Sequence, residues 1–240
     1  MSKIIVLDPG HGGTNSSGVY DPGACGNGMR EADLTLDIVT RTQSKLVPYD
    51  VDVRIGPRAD SLAERAAFAN NLKADFLCAI HINAGGGTGF ESYIYDNAPG
   101  TSGQLQNIIH SEIMAYLVTL GVANRGKKSA NFAVLRETNM PAVLLENLFI
   151  DNTQDANLLK DNDFMDGLAN AIAWALVVAL GLKLKQVAPI PPEPAPDPCA
   201  NCQKCNDLEA EKNRLFAENN SQRQILKQVG IMTGKYVLNA

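Results

Sequence analysis

Apolar and polar positions alternate along this chain between two periods. Lys3–Leu7 is a short apolar run and reads as a buried strand. Over Asp33–Leu46 the apolar residues Leu34, Ile38 and Val39 recur at helical spacing as far as Leu46, and Pro48 ends the pattern. Val51–Ile55 predicts a second strand. Ser61–Leu72 is alanine-rich and helical, with Asp60 or Ser61 as its cap. Phe76–Ile82 predicts a third strand, followed by the loop sequence NAGGGTG, and Phe90–Tyr95 a fourth. Gly103–Leu120 is a long helix with Leu105, Ile109, Ile113, Met114 and Leu117 on one side. Ala142–Leu145 is a short apolar run before Glu146, and Asp163–Leu182 reads as the last helix. Strands alternating with long helices predict an α/β domain at 1-184, built on a twisted, mostly parallel sheet with helices on both faces.

Beyond that domain the pattern breaks. VAPIPPEPAPDPC holds six prolines, so 185-198 is expected to be a Pro-rich linker, semi-rigid at ~3.1 Å per residue. In 199-240, Leu208, Leu215 and Val229 fall on one heptad position, with Gln222 in the remaining place. Lys212, Asn219 and Leu226 fall on the partner position. A small helical tail module is expected, either a short coiled coil joining chains as a homodimer or higher oligomer, or a helix docked elsewhere.

Composition narrows the function. The 240 residues are 45% hydrophobic, enough for a sizeable core, and the formal net charge of -5 argues against nucleic acid as a partner. The longest apolar stretch, Ala171–Leu182, falls short of the roughly 20 residues a bilayer span needs, so no stable membrane insertion is expected. MSKIIVLDP does not read as a signal peptide, and cytoplasmic synthesis is expected. The cysteines are too few and too scattered for a secreted disulfide framework. Cys199, Cys202 and Cys205 share a Cys-x-x-Cys-x-x-Cys spacing that is open to metal binding, interchain disulfides or neither.

Candidate chemistry begins at IVLDPGHGG, where the first strand delivers His11 into a glycine loop. A phosphate cradle would need Gly-x-Gly-x-x-Gly opening a helix, or a lysine of the nucleotide-binding kind; neither follows. A metal is the better reading. His81 ends the strand FLCAIHIN, and in a parallel sheet both histidines would reach the same edge, where ligand sites form. His110 lies within a long helix and reads as an ordinary packed histidine. Two imidazoles need a carboxylate to complete a site. Glu31 and Asp33 stand at a helix start, where an acid is favourable for the helix alone. Glu146 follows the apolar AVLL, so it must stand at a strand end or be paired. Composition leaves open which acid binds metal and which moves protons.

Longer blocks carry a resemblance. IVLDPGHGG, GMREADLTLDI, RADSLAERAAFANNLKADFLCAIHINA, GFESYIY, NRGKKSANFAVLRETNMPAVLLENLFIDN and IAWAL follow one another as in the zinc-dependent N-acetylmuramoyl-L-alanine amidases of the amidase-3 type, found in bacterial wall hydrolases and phage endolysins. The resemblance covers about 1–182. It implies that His11, Glu31 and His81 bind one Zn²⁺, and that Glu146 is the catalytic acid/base for water attacking the amide between N-acetylmuramic acid and L-alanine of peptidoglycan. Two sequence departures stand near these positions. Cys78 replaces a common serine, and Asn147-Leu148-Phe149 replaces a small residue, glycine and phenylalanine, which alters the expected cleft floor. Arg125, in NRGKKS, is a candidate for substrate carboxylates but is left outside the site set, since basic loops are common. The resemblance and the absence of a leader point to a phage endolysin, cytoplasmic in the host until released to the wall. Competing readings are an inactive wall-binding or assembly protein, and a zinc peptidase acting on the stem peptide.

Overall fold

The apolar runs become strands of one six-stranded sheet. In this computed structural model, residues 2–59, 61–186, 207–208 and 210–214 are described. The strands are β1 (Lys3–Pro9), β2 (Cys25–Gly26), β3 (Met29–Arg30), β4 (Val51–Ile55), β5 (Phe76–Asn83), β6 (Phe90–Ile94), β7 (Asn124–Ser129) and β8 (Ala142–Phe149). The helices are α1 (Glu31–Leu46), α2 (Leu62–Asn71), α3 (Gly100–Leu117), α4 (Ala133–Arg136), α5 (Thr153–Lys160) and α6 (Asn162–Leu180). The sheet order is β4-β1-β5-β8-β6-β7, and β2 and β3 form a separate small hairpin. Neighbours in the large sheet are parallel except β6 and β8, so the sheet is mostly parallel, as expected, with one antiparallel pair.

Side-chain alternation divides the core between the two faces. Ile5, Leu7, Cys78, Ile80, Val143 and Leu145 pack on the side covered by α1, α3 and α6. Val6, Leu77, Ala79 and Leu144 face the other way, against Ala69 of α2 and Val134 and Leu135 of α4. The first face is the larger core. Phe76 and Phe90 are fully buried there, each worth roughly 1.5–3 kcal/mol over an exposed position. Helix α6 is long and apolar enough to cross a membrane, but Leu168, Ile172 and Leu176 are fully buried against the sheet-side core, as expected of a core helix.

Helix ends follow local chemistry. Ser61 caps α2 through the Glu64 N–H; the alternative cap, Asp60, lies outside the described residues. Asn152 caps α5, and Asp161 caps α6. Helix α1 starts at Glu31, two residues ahead of its apolar pattern, and α3 ends at Leu117 with a 3₁₀ turn at Val118–Leu120. Four elements went unread in the sequence: the β2–β3 hairpin, β7, α4 and α5. Met1–Gln186 forms a compact unit that contains the whole sheet. Apart from residues 185–186, 207–208 and 210–214, the expected linker and tail module lie outside the described residues, as do Cys199, Cys202 and Cys205.

Candidate metal centre

The second face of the sheet has one row of chemically active side chains. His81 on β5 pairs in register with Glu146 on β8, which pairs in register with Glu91 on β6. Gly10 continues the row beyond β1: its N–H bonds to the Ile80 carbonyl at 2.9 Å, and a Cβ there would meet the His81 ring at 2.5 Å. The glycine before His11 therefore makes room for His81. Across the site, a Cβ on Gly23 would lie 2.7 Å from both the His11 ring and the Glu31 carboxylate. These two glycines permit close packing of the ligand cluster, whereas Gly85 and Gly86, after His81, face open space.

His11 enters from the loop after β1 with φ +62°, a left-handed conformation uncommon outside glycine. Its backbone is held by Arg65 of α2, whose guanidinium donates to the His11 and Pro9 carbonyls at 2.5 Å and pairs with buried Asp8 at 3.0 Å. The ring Nδ1 lies 2.7 Å from Asp21 Oδ2, and Nε2 lies 3.3 Å from Glu31 Oε2. Asp21 thus fixes the ring and leaves Nε2 facing the cluster. Partial burial pushes the Asp21 carboxyl up, but the Gly23 N–H and His11 outweigh it and hold it below the usual range. Sequence reading missed Asp21; its only signal is an acid within the same Pro/Gly-rich loop.

Glu31 is both a helix-start acid and a member of the site. It is buried in the first turn of α1. Oε1 lies 3.0 Å from His81 Nδ1 and accepts the Ile82 N–H at 3.0 Å; Oε2 accepts the Ala24 N–H at 2.9 Å. Burial raises its pKa, but His81 and these donors prevail, leaving the carboxylate favoured. Among the described residues Asp33, the rival acid, pairs with Arg30 on the surface. Ligand atoms of His11, Glu31 and His81 all lie within 4.8 Å of one another, and the two rings meet edge to face at 5.3 Å. Two imidazoles and a carboxylate fit a metal ion. Burial opposes charge on the His81 ring, but Glu31, Glu146 and Asp8 outweigh it and raise the ring's pKa.

Glu146 stands beside this cluster without belonging to it. It makes no salt bridge among the described residues, and its Oε2 is buried without a hydrogen-bond partner. Burial pushes its carboxyl up to about 7; Glu31 and Glu91 add to the rise and His81 opposes it. Glu146 therefore stands inside β8, neither at a strand end nor paired among the described residues, whereas its neighbour Glu91 pairs with Arg125. Next to Glu146, Asn147 donates to the His81 carbonyl at 3.0 Å, and Leu148 has φ +68°. The sequence departure noted at this triplet therefore puts a leucine where the backbone is left-handed. His110 is a satisfied core histidine, with Ser92 and Asn124 each 2.9 Å from its ring nitrogens. Cys78 is fully buried with its thiol pushed up to about 12 by burial, and Cys25 is an exposed free thiol.

Residues 5–177 match the Amidase_3 family, described as N-acetylmuramoyl-L-alanine amidase. The chain is 46% identical over 188 residues to the sporulation-specific N-acetylmuramoyl-L-alanine amidase of Bacillus subtilis, covering 76% of this chain and 70% of the relative. It is 43% identical to the endolysin of Bacillus phage SPP1, covering 77% of this chain and 69% of the relative. The crystal structure of an N-acetylmuramoyl-L-alanine amidase from Clostridium difficile 630 is similar at 33% identity with a TM-score of 0.68, covering 75% of this chain and 97% of that one.

Proposed function

Since the chain belongs to the N-acetylmuramoyl-L-alanine amidase family and is a hydrolase of a peptidoglycan amide bond, we propose that its metal is Zn²⁺, held by His11, Glu31 and His81, with Glu146 as the proton carrier. The observation that carries this reading is the in-register pairing of His81 with Glu146, beside the three-residue cluster. A bound zinc ion supplies Lewis acidity toward water and the scissile carbonyl. Glu146 supplies the proton traffic. Its unpartnered Oε2 accepts a proton from the attacking water and returns it to the leaving nitrogen, the α-amine of L-alanine. A carboxyl raised to about 7 is suited to both halves of that exchange near neutral pH. Asp21 keeps His11 in one tautomer, and Arg65 holds the His11 loop to β1.

Digestion of purified peptidoglycan, followed by mass spectrometry, tests the reading. Expected products are peptides that begin with a free L-alanine amine and glycan strands of unchanged length. A chelator abolishes release and added zinc restores it. Cleavage at a glycosidic or peptide–peptide bond overturns the amidase assignment. No cleavage at all favours an inactive wall-binding protein.

The likeness to the SPP1 endolysin supports a lytic setting, in which the enzyme stays in the host cytoplasm until it is released to the wall. The likeness to the sporulation-specific amidase favours a spore-forming cell as the second setting. Fractionation of expressing cells separates cytoplasmic storage from export before lysis. Residues 199-240 are proposed to join chains or to target the wall, on their heptad pattern.

A further inference from the structure

Glu91 ends the row that contains His81 and Glu146, and it gathers cations. It is buried at 2% exposure, yet it holds four donors. Asn83 Nδ2 donates at 2.7 Å, Tyr93 hydroxyl at 2.9 Å and Arg125 Nε at 2.8 Å, with Lys128 Nζ bonded to the same oxygen as Arg125. These partners hold the Glu91 carboxyl below the usual range in spite of its burial. One carboxylate therefore faces two cations, and the cluster keeps an excess positive charge.

The cations are also held in place. The Arg125 guanidinium lies 4.7 Å over the Phe149 ring. Phe149 is itself fixed, since its ring presses on Gly87 and its N–H donates to buried Asp155. Lys128 lies 5.7 Å over Tyr93, whose ring meets half-exposed Phe132 at 5.2 Å. Among the described residues only Nε of the Arg125 guanidinium is hydrogen-bonded, and about a third of its side chain is exposed. Its remaining N–H edge is preorganised for a planar anion.

Placement selects the anion. Glu146 delivers its proton to the nitrogen that leaves with the peptide, so the peptide departs on that side of the cluster. The next strand on that side is β6, about 5 Å on. In an extended stem peptide, the α-carboxyl of the second residue lies about 6–7 Å from the scissile nitrogen, by backbone spacing. We propose that Arg125 and Lys128, held by Glu91, form an anion subsite for the α-carboxylate of the second stem residue, and so select free-acid over amidated stems. The inference rests on the amidase reading and names the part of the substrate that this flank recognises.

The full-length chain is given two disaccharide-peptides that differ only at that carboxyl, one a free acid and the other a primary amide. The expected kcat/KM favours the acid by about tenfold, mostly through KM. Arg125→Gln and Lys128→Gln each reduce the ratio several-fold, and the double variant brings it close to one. Lys128→Gln leaves Arg125, Glu91 and Phe149 in place, so it decides the matter if Arg125→Gln is unstable. Calorimetric titration with the released peptides, as acid and as amide, reads the same preference without turnover. Equal kcat/KM and equal peptide affinity for the two forms overturn the subsite, as does a preference that survives in the double variant. Failure to cleave either substrate overturns the amidase reading instead, and the titration still decides the subsite.

Discussion

Among single side chains, Glu146 is the proposed proton carrier, and its Oε2 is buried without a hydrogen-bond partner. Glu146→Gln is expected to keep a stoichiometric metal while losing about 10²–10⁴-fold in turnover, whereas His11→Ala loses both; metal analysis alongside kinetics checks the division of roles. Metal retained in Glu31→Ala but lost in Glu146→Gln would reverse the two acids. The same residue has a stability signature. Its carboxyl is raised to about 7 from 4.5, so between those values the folded, metal-free chain binds more protons than the unfolded one. Stability from this group therefore falls as pH rises through that window. In metal-free protein, Glu146→Gln should be more stable than the native chain above pH 7, by up to about 3 kcal/mol, with no gain below pH 4.5. Denaturant melts across pH would show it, and a pH-independent difference would contradict it.

Between residues and fold, the connection from β5 to β6 shows how a glycine-rich loop becomes ordered. Two carboxylates hold it. Asp151 accepts the Gly85 and Gly86 N–H groups at 2.8 and 2.9 Å. Asp155, buried in α5, accepts from Thr88 Oγ1 and from the N–H groups of Gly89 and Phe149. Asp155→Ala strands buried donors and should cost about 2–4 kcal/mol. Hydrogen exchange should rise across 84–89 and at Phe149, and less so in α1 or α6; uniform loss of protection would mean that Asp155 serves the fold at large. The same loop shows what could have been read. Residues 84–89 are too few for a parallel crossover, so β6 had to run against β5. Strand β7 could not be read in this way. NRGKKS is polar and largely exposed, and it pairs only with β6 at the edge, where backbone bonds form without an apolar pattern. The two-residue strands β2 and β3 are too short for any period to register.

For the molecule as a whole, the site is built entirely within Met1–Gln186. His11, Glu31, His81, Glu146 and the Glu91 cluster belong to one sheet and the elements packed on it, so a chain ended after Gln186 is expected to fold and to cut soluble muropeptides. If residues 199-240 join chains or target the wall, this short form sediments as a monomer and binds whole walls more weakly than the full chain. Monomers in both cases, with equal wall affinity, would remove both roles from the tail, and a short form that fails to fold would move the domain boundary.

What the sequence determined by itself was the list of parts. Apolar periodicity sets which segments become buried strands and core helices, because each must hide a face that water disfavours. Its motif blocks named His11, Glu31, His81 and Glu146, because the resemblance supplied an order of residues that periodicity lacks. Three-dimensional packing decided which groups meet. Asp21 reaches His11 only when its loop folds back, with the Gly12 N–H on the Asp21 carbonyl at 2.8 Å. Gly10 matters because β1 lies beside β5, and Glu91 because β8 lies between β5 and β6. Strand order is set by contacts between residues far apart in the chain, and no local pattern encodes it. The row from Gly10 through His81 and Glu146 to Glu91 therefore exists only in the folded sheet, where parallel and antiparallel register bring four separate segments to one level.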